Sequence, residues 1–254
     1  MKIGSKTYNE FYAFLYLLGV WFVIICSFTL LYFFNSLLLS IIIILIISAR
    51  QHALLIIEHE CWHNNMFKNK ILNDLAGSLF AGWLVGSPFF SGRSKHLKHH
   101  RHLGTTDDPD LKLHELAYGS SKKFIFSHFL KLLLGGQVLY TLFNKKEKES
   151  LKNPKISILI VIDFVGMLTC QVLILFSFWY YLDWWAYIIY WALPIFTTTT
   201  LFNGIRAFVE HNIEHNEQNC KKLFSMKSSF IERFFLAPMN FNYHAEHHIR
   251  PGIS

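Results

Sequence analysis

The stretch LLLSIIIILIISARQHALLIIEHECWH, residues 37–63, decides the fold. Its first 13 residues carry no charge. After Arg50 and Gln51 the apolar pattern resumes as HALLII and ends in two histidines four apart, His59 and His63. A helix of this length is about 40 Å long, more than the roughly 30 Å of a bilayer's hydrocarbon core. It therefore reads as one helix from about 37 to 63 whose last turns leave the membrane. Residues four apart on a helix share a face, with Cβ atoms about 5–6 Å apart, so the HxxxH pair is placed to converge on metal.

Working outward, residues 11–34 form an uncharged run of 24, separated from the first stretch by Asn35 and Ser36. Two further apolar runs, 156–182 and 184–205, flank Asp183, beside which Tyr180, Tyr181, Trp184 and Trp185 form an interfacial aromatic belt. The predicted spans are thus 11–34, 37–57, 156–182 and 184–205, arranged as two hairpins, with Pro194 expected to kink the fourth. The stretches 75–90 and 124–143 read as interfacial or re-entrant helices on the cytoplasmic side. KKEKES (145–150) reads as a solvated loop. The first run is too long for a cleavable signal, and no small-residue cleavage site follows it.

Composition agrees. The 254 residues suit one domain; 52% are apolar and only 16% charged, with a mean hydropathy of +0.29. That excludes a water-soluble globule and a disordered chain. The four cysteines are scattered and form no disulfide framework. A net charge of +7 taken alone would suggest nucleic acid, but all 24 Lys and Arg lie in 2–6, 50–155 or 206–250 and none within 7–49 or 156–205. This is a positive-inside pattern suited to anionic headgroups, not a nucleic-acid surface. Both termini and the segments 58–155 and 206–254 are expected on the cytoplasmic side, with the turns at Asn35 and Asp183 outside.

The remaining signal is histidine. HxxxH at His59 and His63 is joined by HxxHH at His96, His99 and His100, a single His211 in RAFVEH, and a second HxxHH at His244, His247 and His248. Nine imidazoles exceed the four ligands of one structural zinc and suit two metals with open positions. Imidazole accepts iron, zinc, copper or nickel, so ligand type does not choose the metal. Carboxylates beside these groups are placed to accept the second N–H of a ligand histidine: Asp107, Asp108, Asp110, Glu210 and Glu246, with Arg206 orienting Glu210 through a bidentate pair. DDPD (107–110) reads equally as an ordinary turn. Cys61 reads as packing, and His52 as either structural or near a substrate path. A metal transporter or sensor is the non-enzymatic alternative, but transport sites normally lie at the bilayer midplane rather than beyond helix ends.

HECWHNNMFKNKILND (59–74), HLKHHRHLGTTDDPD (96–110) and NYHAEHHIRP (242–251) resemble, in order and spacing, the three histidine boxes of the membrane fatty acid desaturase and hydroxylase superfamily. The resemblance covers about 11–251. It implies an all-α integral membrane protein, 1–254 as a single domain, with four transmembrane helices and a cytosolic helical cap carrying the boxes. It further implies a di-iron centre held by His59, His63, His96, His99, His100, His211, His244, His247 and His248, with no catalytic residue beyond these ligands. His102, His114, His128 and His215 are given no role. The implied partners are a lipid acyl chain, O₂, membrane lipids and a separate ferredoxin- or cytochrome-type electron donor, in a bacterial plasma membrane. Desaturation is the first expectation; hydroxylation, carotenoid ketolation or hydroxylation, and decarboxylation are the alternatives within the superfamily. Related chains usually continue past the third box, whereas this sequence stops at Ser254.

Overall fold

The computed structural model describes residues 9–34, 36–103, 105–110, 121–137, 154–210 and 225–252. His114, His211 and His215, the turn at Asn35, the end of the 124–143 stretch and the loop 145–150 lie outside the described residues. All regular structure in the described part is helical. In chain order the helices are α1 (Glu10–Phe33), α2 (Leu37–Trp62), α3 (Lys70–Ser78), α4 (Phe89–His102), α5 (Lys122–Leu133) and α6 (Pro154–Tyr181). There follow α7 (Trp184–Tyr187), α8 (Leu193–Phe196), α9 (Thr198–Glu210), α10 (Phe230–Phe235) and α11 (His244–Ile249).

Among the described residues, four helices are long and apolar enough to cross a membrane: Glu10–Phe33, Leu37–Trp62, Ile158–Tyr181 and Trp184–Glu210. The second is one unbroken helix, as its apolar pattern predicts, and the fourth extends past the expected 205 to Glu210. The fourth is also segmented. A π turn at Ile188–Ala192 precedes Pro194, and Thr197 leaves helical geometry (φ −120°, ψ −92°) after it. Proline supplies no N–H and crowds the preceding turn, which accounts for an interruption here.

The centre is α2. Ile43, Ile47, Ala53, Leu54 and Ile57 form its apolar core. Polar residues on the same helix are buried too, and three of them bond to other parts of the chain. Gln51 Nε2 donates to the Trp191 carbonyl (2.9 Å) within the irregular stretch, while its Oε1 accepts from the Thr199 hydroxyl (2.7 Å). Arg50 Nη2 donates to the Phe234 carbonyl (2.6 Å) and His52 Nδ1 to the Phe235 carbonyl (3.0 Å). Those are the last carbonyls of α10, which lack partners within their own helix. Of the two readings of His52, this hydrogen bond favours the structural one.

The stretch 75–90 contains the end of α3, a 3₁₀ turn at Gly82–Val85 and the start of α4. Gly86 takes a left-handed conformation (φ +71°), which glycine adopts at little cost. The carbonyls of this irregular backbone are met by side chains from three directions. Trp21 donates to Phe80, Gln171 to Trp83 and Leu84, and Trp191 to Leu84. Irregular backbone next to lipid is tolerated where protein satisfies it in this way.

Candidate metal centre

Three short helical segments deliver eight of the nine expected ligand histidines to one place. His59 lies in the last turn of α2 and His63 at its C-cap, where Asn64 takes the left-handed geometry (φ 54°) that ends many helices. Asn73 Nδ2 and Arg93 Nη2 both donate to the Cys61 carbonyl (2.8 Å each), fixing that helix end against α3 and α4. Cys61 itself is buried against Gly77, as its packing role requires. His96, His99 and His100 lie on α4, and His244, His247 and His248 on α11.

The three groups interlock. Ring centroids lie 4.4 Å apart for His59 and His96, 4.5 Å for His63 and His247, 4.2 Å for His100 and His248, and 5.3 Å for His99 and His248. The ligand nitrogens of His59, His63, His96, His100 and His247 all lie within 4.8 Å of one another. Nε2 of His96 is 2.8 Å from Nε2 of His63 and 2.9 Å from Nε2 of His100; Nε2 of His244 is 2.9 Å from Nε2 of His248. With metal–nitrogen bonds of about 2.1 Å, neighbouring ligands at right angles lie about 3 Å apart, so these nitrogens are spaced as adjacent ligands of one ion.

Protonation and satisfaction agree with that reading. Burial, reinforced by the surrounding imidazoles, holds His96 well below its usual pKa and His100 at about 4. Burial, with His100 and Arg206 nearby, brings His247 to about 3. The rings are therefore neutral at physiological pH, the form that binds metal. Among the described residues, Nε2 of His59 and of His247 are buried with no hydrogen-bond partner. A metal ion would satisfy both, so the donor set fits a histidine-bound metal site.

The expected orienting residues divide. Asp108 is buried and lies 2.8 Å from His99 Nδ1, while the same oxygen accepts from the Asp110 N–H (2.8 Å). One oxygen of Asp108 thus both closes the DDPD turn and meets a box histidine. Asp110 pairs with Lys95 (3.0 Å) rather than with a box histidine, and Asp107 is exposed. Glu210 is buried with Oε2 3.5 Å from Arg206 Nε and 3.6 Å from His244 Nδ1, so Arg206 meets it through Nε and not through the bidentate fork expected. Glu246 is exposed and meets the Ser225 hydroxyl: on α11 it projects away from the face that His244 and His247 bury.

Sequence reasoning missed Glu60. Its Oε1 lies 3.4 Å from His59 Nδ1, and its Oε2 accepts from Asn65 Nδ2 (3.0 Å), which also donates to the Pro251 carbonyl (2.8 Å). A carboxylate within the HxxxH box was the available signal. Beside the cluster opens a cavity of about 320 Å³ lined by His59, His96, His99, His244, Leu132 and Phe208, among others. His128, given no role from the sequence, also lines it.

Residues 35–254 match the fatty acid desaturase family model. The chain is 28% identical over 232 residues to dihydrorhizobitoxine desaturase of Bradyrhizobium elkanii, covering 81% of this chain and 62% of that one. Over 85 residues it is 31% identical to sn-1 oleoyl-lipid 12-desaturase of Anabaena variabilis, covering 31% of this chain and 24% of that one. The chain thus spans less than two thirds of the length of either relative. With the family model covering most of the sequence, and apolar helices converging on a histidine cluster that such a family uses to bind iron, the chain belongs to the fatty acid desaturase family.

Proposed function

We propose that this protein is an O₂-dependent di-iron oxidoreductase that introduces a C=C bond into a lipid acyl chain. The observation that carries the proposal is the packing of eight box histidines, from the C-terminal end of α2, α4 and α11, into one cluster beside a cavity. His59, His63, His96, His99, His100, His244, His247 and His248, together with His211, would hold two irons. Bound there, reduced iron would activate O₂, which supplies the oxidising power that an unactivated C–H bond demands.

The residues of the chain bind and orient. Asp108 and Glu60 hold the rings of His99 and His59 through their second nitrogens, and Glu210 stands between Arg206 and His244. Leu55, Ile56, Leu132 and Phe208 offer an acyl chain apolar contact beside the cluster. Overall, –CH₂–CH₂– loses two hydrogens while O₂ is reduced to two waters. The substrate supplies two electrons, and a separate ferredoxin- or cytochrome-type donor supplies the other two with two protons.

In this reading the chain is a single membrane domain made of two helical hairpins. Both termini, the 58–155 and 206–254 segments and the metal site face the cytoplasm of a bacterial cell. The confinement of Lys and Arg to 2–6, 50–155 and 206–250 supports it. Lipid profiling of a desaturase-lacking host expressing the chain tests the function. A new double bond is expected; a new hydroxyl or terminal alkene instead would reassign the reaction. Labelling of a cysteine placed at residue 110 from outside the cell would overturn the topology.

A further inference from the structure

Asp163 is the single charged residue in Ile158–Tyr181, and it is buried while its neighbours Ile162 and Phe164 face outward. A carboxylate in a membrane span is costly, and such residues are retained where they have partners and a task. Here the partners are four donors. Oδ1 accepts from Trp83 Nε1–H (3.0 Å) and the Phe90 N–H (3.0 Å); Oδ2 accepts from the Ser91 N–H (2.8 Å) and the Ser91 hydroxyl (2.7 Å).

Phe90 and Ser91 are the second and third residues of α4. Their N–H groups are the ones that an N-cap side chain ordinarily satisfies. The residue at the N-cap of α4 is Pro88, and no side chain caps locally. The cap is supplied instead from α6, 72 and 73 residues along the chain. A negative group there also complements the helix dipole. Gly166, one turn further along α6, makes the approach feasible: a Cβ at that position would lie 2.5 Å from the Trp83 ring. Gln171 donates to the Trp83 and Leu84 carbonyls, so the same side of α6 holds the turn leading into α4 at two heights.

We propose that Asp163 is a positioning residue for the metal centre, pinning the start of α4 to α6 and thereby setting the axial position and rotation of His96, His99 and His100. His96 lies five residues beyond Ser91, about 7.5 Å along a continuous helix, so displacement of the first turn carries directly into the second box. The inference rests on reading those histidines as iron ligands. A cap supplied in cis would stabilise α4 equally but would not tie its first turn to α6, and that difference separates positioning from ordinary capping.

The test is Asp163→Asn, which keeps the shape but turns an NH₂ toward donors, alone and combined with Pro88→Asp, which offers α4 a local cap. Full-length, iron-loaded protein is purified in detergent. Three quantities are followed: iron loss to a chelator, the Mössbauer spectrum of the remaining iron, and amide exchange at Phe90 and Ser91. Asp163→Asn is expected to lose iron about tenfold faster, with a changed spectrum and faster exchange at both amides, and the double variant to remain iron-poor. Wild-type iron retention or spectrum in Asp163→Asn overturns the proposal. So does full recovery in the double variant, which would reduce Asp163 to a replaceable cap. If Asp163→Asn does not accumulate, the double variant decides: accumulation with fast iron loss supports positioning, while wild-type retention, or no accumulation, refutes it. Amide exchange reads the α4 start whether or not iron binds, so its outcome stands apart from the metal assignment.

Discussion

Two helices that composition reads alike, α2 and the span Ile158–Tyr181, lead different lives. Of the most apolar window in each, 61% is buried in α2 and 11% in Ile158–Tyr181. The outer helix turns Phe164, Leu173, Phe176 and Trp179 outward, as a lipid-facing surface would. The inner helix buries Arg50, Gln51, His52, Glu58, His59 and Glu60 along its second half. Apolar character therefore identifies what crosses the membrane, and polar residues within it identify what lies at the centre. The polar side chains of α2 fix the fourth span through Gln51, the third-box region through Arg50 and His52, and the metal cluster through His59. One helix thus sets the relative placement of parts far apart in sequence.

The sharpest way to break this contrast is at the metal end of α2. His63→Ala is expected to abolish turnover and deplete bound iron, read by metal analysis and reductant-dependent O₂ uptake. The same is expected for His211→Ala, with His102→Ala and His215→Ala tolerated. Full iron and normal turnover in His63→Ala would remove α2 from the site. A smaller effect is expected midway along the helix. Gln51→Leu strips partners from the Trp191 carbonyl and the Thr199 hydroxyl and should cost about 2–4 kcal/mol, lowering the Tm of detergent-solubilised protein by several degrees. The smallest belongs to the outer helix: Leu173→Ala, at a side chain 61% exposed, should change stability by no more than about 0.5 kcal/mol and leave activity intact. A large loss there would mean that protein, rather than lipid, covers that face.

Much of this was legible in the sequence. Runs without charge gave the spans, and the HxxxH and HxxHH spacings gave eight histidines that the fold unites. What escaped the sequence was partnership across long separations. Asp163 and Gln171 sit in an apolar run, and nothing local tells that the first caps α4 or that the second holds the turn before it. Periodicity reports a residue's own helix and is silent on the neighbour. Proximity in sequence misled for Glu246 and Asp107: each adjoins a box or its turn, yet both are exposed. Glu60 and Asp108 also sit within or just after the boxes, but their side chains turn toward His59 and His99.

A two-iron histidine cluster has a fixed stoichiometry. Protein expressed with ample iron and purified without oxygen should carry close to two irons per chain by elemental analysis. One tightly held zinc and no iron under the same conditions would rule out a di-iron centre.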